Sequence, residues 1–125
     1  MTGDVFERPV FKRARKLCLA FPETVELTSW GHPTFRAGKK TFCAFEMIKG
    51  RPSIAFRLAR VDARLARRKN FFVTPYGRSL WMSVWVDDAV DWTLIAALVE
   101  RSYRLVATKG QLALLDSAGR EILRS

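Results

Sequence analysis

The sequence predicts an α+β fold, an antiparallel sheet of about five strands with helices packed on one face. Three observations carry this. Residues 30–47 read as strand, tight turn and strand, with Gly38-Lys39 where a two-residue loop with Gly first belongs. Residues 80–86 alternate, placing Leu80, Met82, Val84 and Val86 on one side. Segments 8–20 and 92–106 repeat apolar residues at three- and four-residue spacing, as amphipathic helices do. Short turns through the middle of the chain require antiparallel neighbours, and one face of the sheet stays partly open to water.

In chain order, Val10, Ala14, Leu17, Cys18 and Phe21 share one face of the first helix, while Arg8, Lys12, Arg15 and Lys16 fill much of the rest. Pro22 ends it, because the residue before a proline is pushed out of the α region. Residues 23–28 alternate as a short strand, with Val25 and Leu27 expected inward. Residues 29–33 form a turn into the hairpin, and His32 reads there as a structural residue bonding the backbone. Residues 48–52 reverse the chain again, with Gly50 free to take positive φ, and Ile54, Phe56 and Leu58 face one way on the next strand. A helix over 61–69 follows, Asp62 near its start and Asn70 at its end. Residues 71–79 read as a connection broken by Pro75-Tyr76-Gly77. After the strand 80–86, Asp91 caps a helix whose stripe is Ile95, Ala96, Val99, Ser102, Tyr103 and Val106, widened by Leu98 and Leu105. A short helix around 112–115 closes the chain.

At 125 residues the chain is expected to be one domain, its residues 108–125 an extension. No apolar run spans a bilayer and the first residues lack a signal-peptide pattern, so the expectation is a cytoplasmic protein with no membrane partner, and a monomer. Cys18 and Cys43 sit in apolar surroundings and read as reduced, buried small hydrophobes. The net charge of +10 is concentrated in residues 1–80, and such a field attracts polyanions.

Several stretches resemble the MmcQ/YjbR family. They are Phe21-Pro22-Glu23, Trp30-Gly31-His32-Pro33-Thr34-Phe35-Arg36, Gly38-Lys39-Lys40-Thr41-Phe42, Pro75-Tyr76-Gly77 ahead of Trp85-Val86, and Ser102-Tyr103-Arg104-Leu105-Val106-Ala107. They span most of residues 8–107 in order. The resemblance implies a CyaY-like fold related in shape to frataxin, and a DNA-binding label resting largely on fold. The arginine density over 57–69 exceeds what the family pattern demands.

No catalytic constellation is found, so the expectation is a non-enzymatic protein without a cofactor. His32 is the single histidine and no Cys-x-x-Cys pair exists, which argues against a metal site. The basic first helix is the reverse of an acidic ridge, so iron chemistry is not expected from the frataxin likeness. Asp87, Asp88 and Asp91 read as turn and cap rather than an acid–base pair. Gly38-Lys39-Lys40-Thr41 lacks the upstream glycine and following helix of a phosphate loop.

What remains is polyanion binding. Lys39 and Lys40 at the hairpin tip, Arg36 before them, Lys49 and Arg51 at the next turn, and Arg60, Arg64, Arg67, Arg68 and Lys69 form the candidate nucleic-acid set. Alone, each cluster reads as a solvated helix face or a lysine-guarded edge; together they favour phosphate contacts, with no base-reading residues. The alternative is a small anionic-ligand pocket or protein-interaction surface on the aromatic sheet face, lined by Trp30, Phe35, Trp81, Trp85 and Tyr103, with Arg36 or Lys40 holding the anion.

Overall fold

Three successive hairpins build the first half of the sheet in the computed structural model, which describes residues 5–75 and 80–124, with side chains to residue 118. Strands β1 (Val25–Ser29), β2 (His32–Ala37), β3 (Lys40–Ile48) and β4 (Arg51–Arg57) are joined by the two-residue loops Trp30-Gly31, Gly38-Lys39 and Lys49-Gly50. Loops this short match the strand twist only with positive φ. Gly38 takes +64°, and Lys49 and Gly50 take 51° and 79°. Trp30 also sits at φ 54°, a conformation that costs a tryptophan energy, and its side chain is 97% exposed.

Strands β5 (Phe71–Val73) and β6 (Trp81–Trp85) complete a six-stranded, wholly antiparallel sheet of order β1-β2-β3-β4-β6-β5. The stretch 71–79, expected to be a connection, thus begins with an edge strand. Its three residues are too few for periodicity, but Phe71, Phe72 and Val73 pair with Val84, Ser83 and Met82. Tyr76 and Gly77 of the expected break lie outside the described residues.

One face of the sheet is covered by α1 (Pro9–Leu19) and α3 (Trp92–Val106), preceded by a single 3₁₀ turn at Val5–Glu7. A bulge admits two consecutive residues to this face. Phe35 pairs with Cys43 but Arg36 pairs with Thr41, so Phe42 is the extra residue. Phe42 meets the Tyr103 ring at 5.5 Å, and Phe45 meets both Phe11 and Phe35 at 4.9 Å. Ile54, Phe56, Met82, Val84, Ile95 and Val99 complete the interior. Cys18 and Cys43 are free and buried, their thiols hydrogen-bonded to each other, and burial pushes the Cys18 thiol well up.

Capping sets the helix starts. Asp91 Oδ1 accepts from the Leu94 N–H at 3.1 Å, as the sequence indicates. Asp62 Oδ1 accepts from Arg64 and Leu65, but α2 is only Ala63–Ala66, shorter than the expected 61–69. Only Leu65 of it is buried, and Asn70 then turns the chain at φ 73°. The last helix, α4 (Lys109–Arg124), is far longer than the four residues expected. Thr108 and Gln111 exchange side-chain and backbone hydrogen bonds at 2.9 and 3.1 Å, a reciprocal box that starts it.

β1 departs from the expected pattern. Val25 and Leu27 are 52% and 41% exposed, whereas Glu26 turns toward α1 and accepts from Arg15 Nε at 2.8 Å. As an edge strand, β1 has its apolar pair on the open face, beyond the helices.

Candidate functional site

The antiparallel registers decide which cations meet. The β2–β3 loop lies at the end of the sheet where β4 finishes, because Cys43 pairs with Phe56 and Ile48 with Arg51. Lys39 and Lys40, both exposed, therefore share that end with Arg57 and with Arg60 just beyond β4. Arg36 joins them from β2, opposite Thr41. A Cβ on Gly38 would lie 3.2 Å from the Thr108 methyl, which brings Lys109, the first residue of α4, to the same end. Among the described residues none of these six cations forms a salt bridge with a carboxylate, and Arg36 Nε is buried with no hydrogen-bond partner.

The other end differs. Lys49 and Arg51 lie at the far end of β3, roughly 27 Å away at about 3.3 Å per residue. Arg51 forms a two-pronged pair with Asp87, at 2.7 and 3.0 Å, and its guanidinium sits 4.2 Å over the Trp85 ring. This bond holds the Asp87 carboxyl below the usual range. Arg68 reaches Asp91 and Lys69 reaches Asp88, each at 3.5 Å. Arg64 and Arg67 are exposed on and just after α2, without a described partner. Of the ten candidates, Arg36, Lys39, Lys40 and Arg60 stand unanswered at the β2–β3 end, while Arg51, Arg68 and Lys69 are paired with carboxylates elsewhere. Arg57 and Lys109 were absent from the sequence-derived set. The register of β3 with β4 adds the first, and the capping box Thr108-x-x-Gln111 adds the second.

The open face of the sheet also carries a cavity. It holds about 300 Å³ and is lined by His32, Thr34, Thr41, Glu46, Thr74 and Trp81, among others. Of the aromatics expected to line this face, Trp81 and Trp85 are on it, Trp85 stacked on Phe72 at 4.3 Å between centroids. Trp30 projects from its turn, 97% exposed. Phe35 and Tyr103 belong to the opposite, helix-covered side, fully buried, and the Tyr103 hydroxyl donates to the Pro22 carbonyl at 2.7 Å. Alternation explains Phe35, which pairs with Cys43 on the inner face; Tyr103 is on the buried stripe of α3.

His32 opens β2 instead of standing in a turn, and its Nε2 lies 3.8 Å from Glu46 Oε2. Among the described residues Glu46 Oε1 is buried without a partner, and burial raises the carboxyl's pKa, with His32 opposing. A carboxyl whose pKa is raised on folding contributes stability below its unfolded pKa and loses it as pH climbs through the folded value. Glu46→Gln is therefore expected to melt above the parent at about pH 8, the difference closing near about pH 4, in thermal denaturation across that range.

Among the described residues no group of His, Cys, Asp and Glu could hold a metal ion. No described helix is long and apolar enough to cross a membrane. The architecture is an α+β domain with helices on one face of an antiparallel sheet and one cationic end. The family model described as YjbR matches residues 19–105, and the chain belongs to that family. The match starts at the last residue of α1 and stops within α3, leaving α4 outside it. No curated protein matches the chain.

Proposed function

We propose that the protein binds nucleic acid, DNA in the first instance, through its phosphate backbone and without reading sequence. The supporting observation is the end of the sheet where Arg36, Lys39, Lys40, Arg57, Arg60 and Lys109 converge from separate segments. A described carboxylate answers none of them, so each can neutralise a phosphate and release a counterion. On this reading the protein is a cytoplasmic monomer and a binder rather than an enzyme.

The test is a salt titration of binding to short duplex DNA, single-stranded DNA and RNA. With about four to five phosphate contacts, log affinity should fall against log salt with a slope near about −4. Binding to none of the three at about 50 mM salt would end the proposal.

A further inference from the structure

The cavity on the open face is separate in chemistry from the cationic end. Its walls combine the hydroxyls of Thr34, Thr41 and Thr74 with apolar Ala44, Ala55 and Pro75, and Trp81 stands at the side. The Thr74 hydroxyl already bonds Ser83 at 2.6 Å, and the Thr34 hydroxyl donates to the Leu27 carbonyl. The exception is Glu46. One oxygen lies near His32, while Oε1 is buried and receives no hydrogen bond from the described residues. Leaving a buried acceptor unpaired is costly, so its retention here points to a donor supplied from outside. Outside the lining, paired with Thr41 across the β2–β3 register, the buried Arg36 Nε lacks an acceptor among the described residues. The empty space of about 300 Å³ suits a flat ring system and little more.

We propose that this cavity binds a nucleobase-sized planar ring carrying adjacent N–H donors and a carbonyl, the pattern of guanine. The donor edge lies on Glu46 Oε1, Trp81 gives the ring an aromatic surface, and Arg36 takes an acceptor of the ligand. Recognition of a base edge by a carboxylate beside an aromatic is common where bases are unpaired. Apart from Arg36, which also stands at the cationic end, the site uses none of the residues assigned to phosphate above.

Guanosine monophosphate is the probe, titrated calorimetrically and by amide NMR, with adenosine and uridine monophosphates as comparators. The guanine nucleotide should bind at least about tenfold more tightly than the others, with shifts centred on Thr34, Thr41, Glu46 and the Trp81 indole. Glu46→Gln, expected to fold at least as stably as the parent, should weaken it about tenfold or more. Trp81→Ala should do the same. Lys39→Glu with Lys40→Glu should leave the preference for the guanine nucleotide over the adenine and uridine nucleotides unchanged, which separates this site from the phosphate-binding end. An oligonucleotide with one unpaired guanine, competed against the mononucleotide on that double variant, distinguishes a base in a strand from a free nucleotide. No binding at millimolar nucleotide, equal binding of adenine, or indifference to Glu46→Gln would overturn the site.

Discussion

Reversing charge at the β2–β3 loop, Lys39→Glu with Lys40→Glu, is expected to reduce oligonucleotide affinity about a hundredfold at low salt. Two contacts are lost and two repulsive charges are placed beside the phosphates. The salt slope should become shallower by about two, since each lysine accounts for roughly one released counterion. The loop is the right place to test because its lysines are exposed and face no described carboxylate. The matched control is Arg68→Glu with Lys69→Glu, which makes the same change of charge at the opposite end. There Asp91 and Asp88 already accompany the cations, so the loss should be several times smaller. Equal losses would mean that affinity follows net charge and that the β2–β3 end has no special part. Fluorescence anisotropy with labelled duplex and single strand, over a range of salt, measures both quantities.

Phe45→Ala is expected to cost about 3–5 kcal/mol of folding stability. The ring is fully buried at the centre of β3 and touches Phe11 of α1 and Phe35 of β2. Truncation removes an aromatic contact between the first helix and the sheet and leaves a cavity that stiff aromatic neighbours fill poorly. Against a total of about 5–15 kcal/mol for a domain, that is a large share. Urea denaturation followed by far-UV circular dichroism should show the midpoint fall with little change in slope. A loss below about 1 kcal/mol would show that the aromatic cluster repacks and is not the keystone of the interior.

Much of the architecture is written locally. Gly38 and Gly50 mark two of the three hairpin loops because a two-residue connection needs positive φ, which glycine accepts cheaply. Asp91 marks the start of α3 by its side-chain acceptor. The third loop falls within the turn expected over 29–33, although Trp30-Gly31 puts a tryptophan where φ is 54°. α4 extends well beyond the expected 112–115 because its signal is the pairing of Thr108 with Gln111 more than an apolar run. β5 was missed because a three-residue edge strand is defined by its partner β6 and not by its own pattern.

The site was less legible. Glu46 stood in the sequence as the lone carboxylate of an apolar strand, yet alternation alone could not tell whether it met water or the His32 imidazole. Charge clustering in sequence joined cations that the fold separates. Residues 36–40 and 57–60 come together because β3 and β4 are antiparallel, whereas Lys49 and Arg51 are carried to the far end by the nine residues of β3.

By itself the sequence determined the strands and helices that local chemistry can specify, together with the sign and size of the charge. Which side of the sheet the helices cover, which cations stand together and which are paired with Asp87, Asp88 and Asp91 were decided only by the tertiary structure. The reason is physical: a residue's periodicity fixes its direction from the backbone, but its neighbours come from strand register and from the segments that pack across it.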